Sequence, residues 1–334
     1  MRIGTGIALL ATSLAMALSA RAATLDLAAY PHAVRGEVIE TPGIVYASQS
    51  GYRALELTLY QPSSSHGALP IVLALHGGGW FLNPDKPVAG SPPRPELPAP
   101  GVPATLIRLA GRGYVVANVT YRLSGEARFP AQIQDVKQAV RFLRAHAAQI
   151  GGDPKHVIVW GASAGAYLAV LLGASCGVAA LEPPGPDPGV SDCVDAVADW
   201  YGPVDFRRLD AETASNHLPP GPMGGTPHSA PNSAESQLLG CALSACPTEL
   251  LAKANPLTYL SAQAPPFLIM HGMGDTAVPY QQSADLAEAL KAAGVRATLT
   301  LVPKAEHMFI GIPGPSVDQF VEQTFAFFDQ VSGR

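Results

Sequence analysis

Short apolar, β-branched runs alternate along this chain with longer segments in which apolar residues recur every three or four positions. The runs Ile71–Leu75, Val115–Tyr121, Val157–Trp160, Val194–Trp200, Phe267–His271 and Ala297–Val302 read as buried strands, since a continuous apolar run of about four to eight residues suits a strand covered on both faces. Two earlier segments, around Gly43–Ala47 and Ala54–Leu59, predict an antiparallel start to the same sheet. Between the runs, Ala131–Gln149 carries Ile133, Val136, Val140 and Leu143 at helical spacing, and Tyr167–Leu172, Gln281–Ala293 and Val317–Gln330 supply further helical segments. Alternation of this kind is the pattern of crossover units, so the expected fold class is α/β, a mostly parallel central sheet flanked by helices.

Three Pro/Gly-dense stretches, Asn83–Pro103, Leu181–Gly189 and His217–Pro231, interrupt the rhythm and read as loops. Loops beyond the carboxyl ends of parallel strands shape the binding cleft in such sheets, so each stretch is either a cleft-shaping loop, if it follows a strand on that edge, or a surface insertion. At the start of the chain, Arg2, the apolar Ile7–Leu18 and Ala20-Arg21-Ala22 have the three-part pattern of a secretory leader. Residues 1–22 are therefore expected to be a signal peptide, residues 23–334 a single catalytic domain, and the protein secreted or periplasmic. No later segment offers the ~20 apolar residues that a membrane-spanning helix requires.

Composition narrows the classes further. Hydrophobic residues make up 48% of the chain and charged residues 14%, which excludes disorder and suits a large core. Losing Arg2 and Arg21 with the leader takes the formal net charge from -5 to -7, so no nucleic-acid partner is expected. Four cysteines in an exported chain tend to pair. Of the three connectivities, Cys176–Cys193 and Cys241–Cys246 join the nearest neighbours in sequence. Neither a C-x-x-C pair nor an H-E-x-x-H helix occurs, so no metal site is expected.

The chemistry lies in Gly161-Ala162-Ser163-Ala164-Gly165, which follows the strand Val157–Trp160 and precedes a helix-forming segment. Strand, tight turn and helix in that order are the setting of a nucleophilic serine, with glycines where a Cβ would strike neighbouring chain. The same five-residue pattern recurs at Gly173-Ala174-Ser175-Cys176-Gly177, but there it follows a helix. Ser175 therefore reads as a helix C-terminus with Gly177 as its stop signal. Upstream, Ile71–Leu75 ends in His76-Gly77-Gly78-Gly79-Trp80, a glycine run that frees backbone N–H groups for an oxyanion. The N–H groups of Gly78, Gly79 and Ala164 are assigned that role. His76 is expected to orient the loop.

A serine needs a base, and the base needs an acid to hold its tautomer. In a sheet of this type the order along the chain is serine, acid, histidine, which leaves His217, His228, His271 and His307. His217 and His228 sit in the Pro/Gly-rich stretch, and His271 ends a strand just before the candidate acid, so His307 is the expected base. Asp275 stands just beyond the carboxyl end of Phe267–His271, whereas Asp205 and Asp285 read as solvated or capping carboxylates.

These residues resemble the hormone-sensitive-lipase-like and bacterial feruloyl-esterase-like groups of the α/β-hydrolase superfamily. The resemblance is carried, in order, by His76–Trp80, Phe129–Val136, Gly152-Asp153-Pro154, Gly161–Gly165, Tyr201-Gly202-Pro203, Gly274–Pro279, His307 and Phe309. It implies an α/β-hydrolase fold and a cofactor-free serine carboxylesterase acting on small-molecule esters with short or aromatic (acetyl- or feruloyl-type) acyl groups. Trp80 is a candidate lining of the substrate pocket, with a buried packing Trp as the equal alternative. An arylformamidase-type amide hydrolase and a non-catalytic hydrolase-fold binding protein are the competing readings, and the oligomeric state is left open.

Overall fold

The computed structural model describes residues 24–65, 67–84, 99–184, 189–219, 221 and 225–334, so the expected leader at 1–22 lies outside the described residues. Among them nine strands form one sheet: β1 (Ala33–Arg35), β2 (Val38–Ala47), β3 (Leu55–Pro62), β4 (Leu69–Leu75), β5 (Val115–Val119), β6 (Gly152–Ala162), β7 (Ala196–Trp200), β8 (Phe267–Gly272) and β9 (Ala297–Val302). Their spatial order is β1-β2-β3-β5-β4-β6-β7-β8-β9. The β1–β2, β2–β3 and β3–β5 pairs are antiparallel, and every pair from β5–β4 onward is parallel. The antiparallel start and parallel remainder match the pattern of the apolar runs.

Eight α-helices fill the connections: α1 (Pro103–Gly111), α2 (Ala131–Ala145), α3 (Ala164–Ala174), α4 (Leu209–Ser215), α5 (Ala234–Leu239), α6 (Thr248–Ala254), α7 (Gln281–Ala292) and α8 (Gly314–Ser332). The sheet divides the core in two because successive strand side chains point to opposite faces. Ile71, Leu73 and Leu75 of β4 pack with α2, α3 and α7 on one face. Val72 and Ala74 pack on the other with Leu106 and Leu109 of α1 and Val317, Val321, Phe325 and Phe328 of α8. Each of these fully buried side chains contributes roughly 1.5–3 kcal/mol of transfer free energy, which sets the strand register and so fixes which residues emerge at the carboxyl edge.

The three Pro/Gly-rich stretches do not share one edge. The first follows β4, with residues 85–98 outside the described residues. Gly221, in the third, sits so close to Thr276 and Glu306 that an added Cβ would lie 2.1 Å from Thr276 Oγ1, which places that loop over the carboxyl ends of β8 and β9. The second leads from α3 into β7 and lies at the amino end of the strands, because a connection into a parallel strand must enter there. Its Glu182 pairs with Lys137 and Arg141 of α2. Asp192 also binds both cations. Lys137 Nζ donates as well to the carbonyl of Ser175 (2.9 Å), so this buried cation is fully partnered. The sulfurs of Cys176 and Cys193 are joined (1.91 Å), as are those of Cys241 and Cys246 (1.95 Å).

Candidate active site

Ser163 stands at the turn between β6 and α3 with φ 55° and ψ -122°. A non-glycine residue is strained there by roughly 1–3 kcal/mol, and the surroundings must over-determine it. They do. Its N–H donates to Trp200 O at 2.9 Å, and the flanking glycines leave no alternative path. A Cβ on Gly161 would lie 2.2 Å from Gly165 O, and one on Gly165 would lie 2.2 Å from Leu75 O. Ser175, the serine of the second motif, is a buried C-cap of α3 whose N–H donates to Leu171 O, and Gly177 follows at φ 70°.

His307 follows β9 and turns its ring back over the sheet edge. Its Nε2 lies 3.0 Å from Ser163 Oγ, and its Nδ1 lies 2.7 Å from Asp275 Oδ2. A carboxylate only accepts, so Nδ1 carries the proton and Nε2 is free to accept the serine hydroxyl's. Asp275 is buried beyond the end of β8, and its four lone-pair directions are occupied. Oδ1 accepts from the N–H groups of Ala277 (2.9 Å) and Val278 (2.8 Å). Oδ2 faces His307 and, at 3.2 Å, Nε2 of His271. Burial pushes this carboxyl up, but the two histidines outweigh it by charge and hydrogen bonding and hold it well below the usual carboxylate range.

The turn expected to hold an oxyanion is built from backbone that needs glycine. Gly78 and Gly79 have φ of 104° and 58°, and a Cβ on Gly78 would lie 2.4 Å from Leu82 O. Gly78 O closes the turn by accepting from Phe81 and Leu82 N–H. Among the described residues the N–H groups of Gly78 and Gly79 have no protein acceptor. That of Ala164, in the first turn of α3, lacks an intrahelical one. His76 stacks on Tyr121, ring centroids 4.5 Å apart, with Nδ1 2.7 Å from Gly77 O, which ties the loop to its strand end.

Trp80 does not line an open pocket. It is 1% exposed, and its ring meets Tyr167 and Phe206 edge-on. Its Nε1–H donates to Ala164 O at 3.0 Å. Its neighbour Phe81, 42% exposed, presents the apolar surface beside the turn instead.

His228, Asp205 and Asp285, also considered from sequence, have other partners. His228 pairs with Glu235 (3.1 Å), Asp205 with Arg207 (2.6 Å) and Asp285 with Arg208 (2.5 Å). Three residues take supporting places that the sequence reading did not assign to them. Glu306 Oε1 accepts from Thr276 N–H (2.7 Å) and His307 N–H (2.9 Å), so one carboxylate clips the acid loop to the base loop. Tyr201, at φ 50°, sets its ring edge-on to His307 at 4.9 Å. His271 is the third. Glu306 and Thr276 adjoin His307 and Asp275 in sequence, but the contact that joins them spans thirty residues and carries no local signal. Among the described residues no group of three or more His, Cys, Asp or Glu side chains is arranged to hold a metal ion. No described helix is long and apolar enough to cross a membrane.

The BD-FAE family model matches residues 57–290. The chain is 28% identical over 291 residues to the esterase LipQ of Mycobacterium tuberculosis, covering 86% of this chain and 62% of that protein. It thus spans about six-tenths of that relative's length. Among solved structures, a truncated carbohydrate esterase from gut microbiota superposes with a TM-score of 0.70 at 28% identity, covering 88% of this chain and 96% of that one. A bifunctional GH43-CE protein of Bacteroides eggerthii gives a TM-score of 0.71 at 31% identity, covering 87% of this chain and 38% of that one.

Proposed function

Because the chain belongs to the BD-FAE family of α/β hydrolases, we propose that it is a serine carboxylesterase that cleaves short-chain or aromatic, acetyl- or feruloyl-type esters through an acyl-enzyme on Ser163. The observation that carries this reading is the unbroken path from Ser163 Oγ through the His307 ring to Asp275, 3.0 Å and 2.7 Å at its two joints.

In this reading Ser163 Oγ attacks the ester carbonyl as its proton passes to His307 Nε2, and Asp275 stabilises the imidazolium across the Nδ1–H bond. The negative charge on the carbonyl oxygen falls among the N–H groups of Gly78, Gly79 and Ala164. A single such donor is worth about 10²–10³ in rate where it has been removed from other hydrolases. His307 then returns the proton to the leaving alkoxide, and afterwards takes one from the water that releases the acid. Microscopic reversibility gives the second half the same groups as the first.

The substrate class rests on two supports. The gut carbohydrate esterase matches this chain over nearly its whole length, and Phe81 offers an apolar face beside the oxyanion turn on which an acyl or aryl group can lie. Secretion or a periplasmic address is part of the proposal, and the two disulfides support it.

The test is a panel of p-nitrophenyl esters of rising acyl length, methyl ferulate and an acetylated sugar, run on wild type and Ser163→Ala. Turnover of the short esters or of methyl ferulate is expected, with a loss of about 10⁴-fold or more in Ser163→Ala. Full activity in Ser163→Ala, or no turnover of any ester by the folded wild type, overturns the reading.

A further inference from the structure

His271 is the last but one residue of β8, and all of its polar contacts are internal. Nε2 lies 2.9 Å from Val278 O and 3.2 Å from Asp275 Oδ2. Nδ1 lies 2.7 Å from Ser283 Oγ, in the first turn of α7. The ring is wholly buried, as is Ser283. A carbonyl oxygen only accepts, so the contact to Val278 requires a proton on Nε2 in either protonation state of the ring. That N–H is directed at Val278 O, and the same nitrogen stands 3.2 Å from Asp275 Oδ2. Nδ1, when unprotonated, accepts the hydroxyl proton of Ser283.

From this geometry we infer that His271 is a positioning residue. It acts through Asp275, holding the positive edge of its Nε2–H 3.2 Å from the carboxylate oxygen that faces His307, and so fixes that oxygen's direction and tempers its basicity. The inference rests on the reading of Ser163, His307 and Asp275 as the catalytic set. The physical consequence follows from Oδ2 serving two imidazoles. Remove one donor and the oxygen's charge is directed wholly at His307, which then holds its proton more tightly. The other titratable groups around this cluster are Asp199 on β7, Tyr201 at its end and His228 in the covering loop. None of them supplies a second donor to Oδ2.

Two substitutions separate positioning from mere packing. The side-chain amide of His271→Gln can put an N–H where Nε2–H stands, whereas His271→Leu fills the space without a donor. With p-nitrophenyl acetate, His271→Leu is expected to lose about tenfold or more in kcat with little change in KM. The acid limb of its kcat/KM profile should move upward by about half a pH unit or more, and His271→Gln should recover most of both. Should His271→Leu not fold, the wild type itself carries the test. Long-range ¹H–¹⁵N spectra, assigned with His271→Gln, are expected to show a proton on Nε2 of His271 whose resonance moves in Asp275→Asn. An unmoved acid limb in folded His271→Leu, equal losses in the two variants, or an Nδ1–H tautomer overturns the inference. Activity surviving in Ser163→Ala would instead remove the catalytic reading beneath it, and the two failures are told apart by that control.

Discussion

Trp80 donates its indole N–H to the carbonyl of Ala164 across 3.0 Å, so the Gly78-Gly79 turn and the amino end of α3, which carry the proposed oxyanion donors, are braced against each other. The brace is a single bond on a buried ring. Trp80→Phe keeps the edge-on contacts to Tyr167 and Phe206 but loses that bond. The expected result is a fall of about tenfold in kcat with KM nearly unchanged, because small displacements of preorganised donors are felt mainly in the transition state. Steady-state kinetics on p-nitrophenyl acetate measure both. A raised KM at constant kcat would mean that the ring binds substrate after all.

Glu306 joins the Asp275 loop to the His307 loop through the N–H groups of Thr276 and His307. Glu306→Ala frees those loops from each other and leaves two backbone donors without an acceptor. A loss of about 10–10² in kcat is expected, with a lower melting temperature, since each unsatisfied buried group costs about 1–3 kcal/mol. Glu306→Gln keeps an acceptor oxygen and should stay close to wild type in both measurements.

Asp199 on β7 is wholly buried. Burial raises its carboxyl to about 7, against the lowering effects of the Gly202 N–H and His271. Unfolded, the same group releases its proton near pH ~3.9. Between these values the folded chain holds the extra proton, so this contribution to stability is complete below about pH 4 and is lost as pH rises to about 7. Urea midpoints across that window should fall with rising pH in the wild type and fall less in Asp199→Asn, which no longer titrates. Identical slopes would show that Asp199 ionises in the fold as it does in the unfolded chain.

Much of this arrangement was legible in the chain. The apolar runs of β4 to β8 stood out because each is buried on both faces, β9 read as a strand from its apolar run although it is a half-buried edge strand, and strand before, helix after separated Ser163 from Ser175. Four helices were not called, and α4, α5 and α6 are only six or seven residues long, too short for a periodic face. The α5 signals were nonetheless present, in the N-cap Ser233 and in Gly240 at φ 76°. The place of Trp80 was left between two readings because nothing local tells a buried indole from a pocket wall. That depends on Tyr167 and Phe206, brought in from other elements.

The disulfides close loops of different span. Cys176–Cys193 joins residues 17 apart and Cys241–Cys246 joins residues 5 apart. The loop-entropy account assigns them about 3 and about 2 kcal/mol respectively. Paired Cys→Ser replacement at 176 and 193 should therefore lower the denaturation midpoint more than replacement at 241 and 246, with dithiothreitol on wild type lowering it at least as far as either. A greater loss at 241 and 246 would mean that strain or residual structure outweighs span.

The backbone at Ser163 gives the site a direction in evolutionary time. A residue at φ 55° is there against the chain's local preference, and glycine at the same position would relieve that preference at once. Selection for stability alone thus pulls position 163 toward glycine, and under the proposed function only selection for ester turnover opposes it. A lineage that stopped using this chemistry would be expected to lose the nucleophile early and keep the sheet long afterwards.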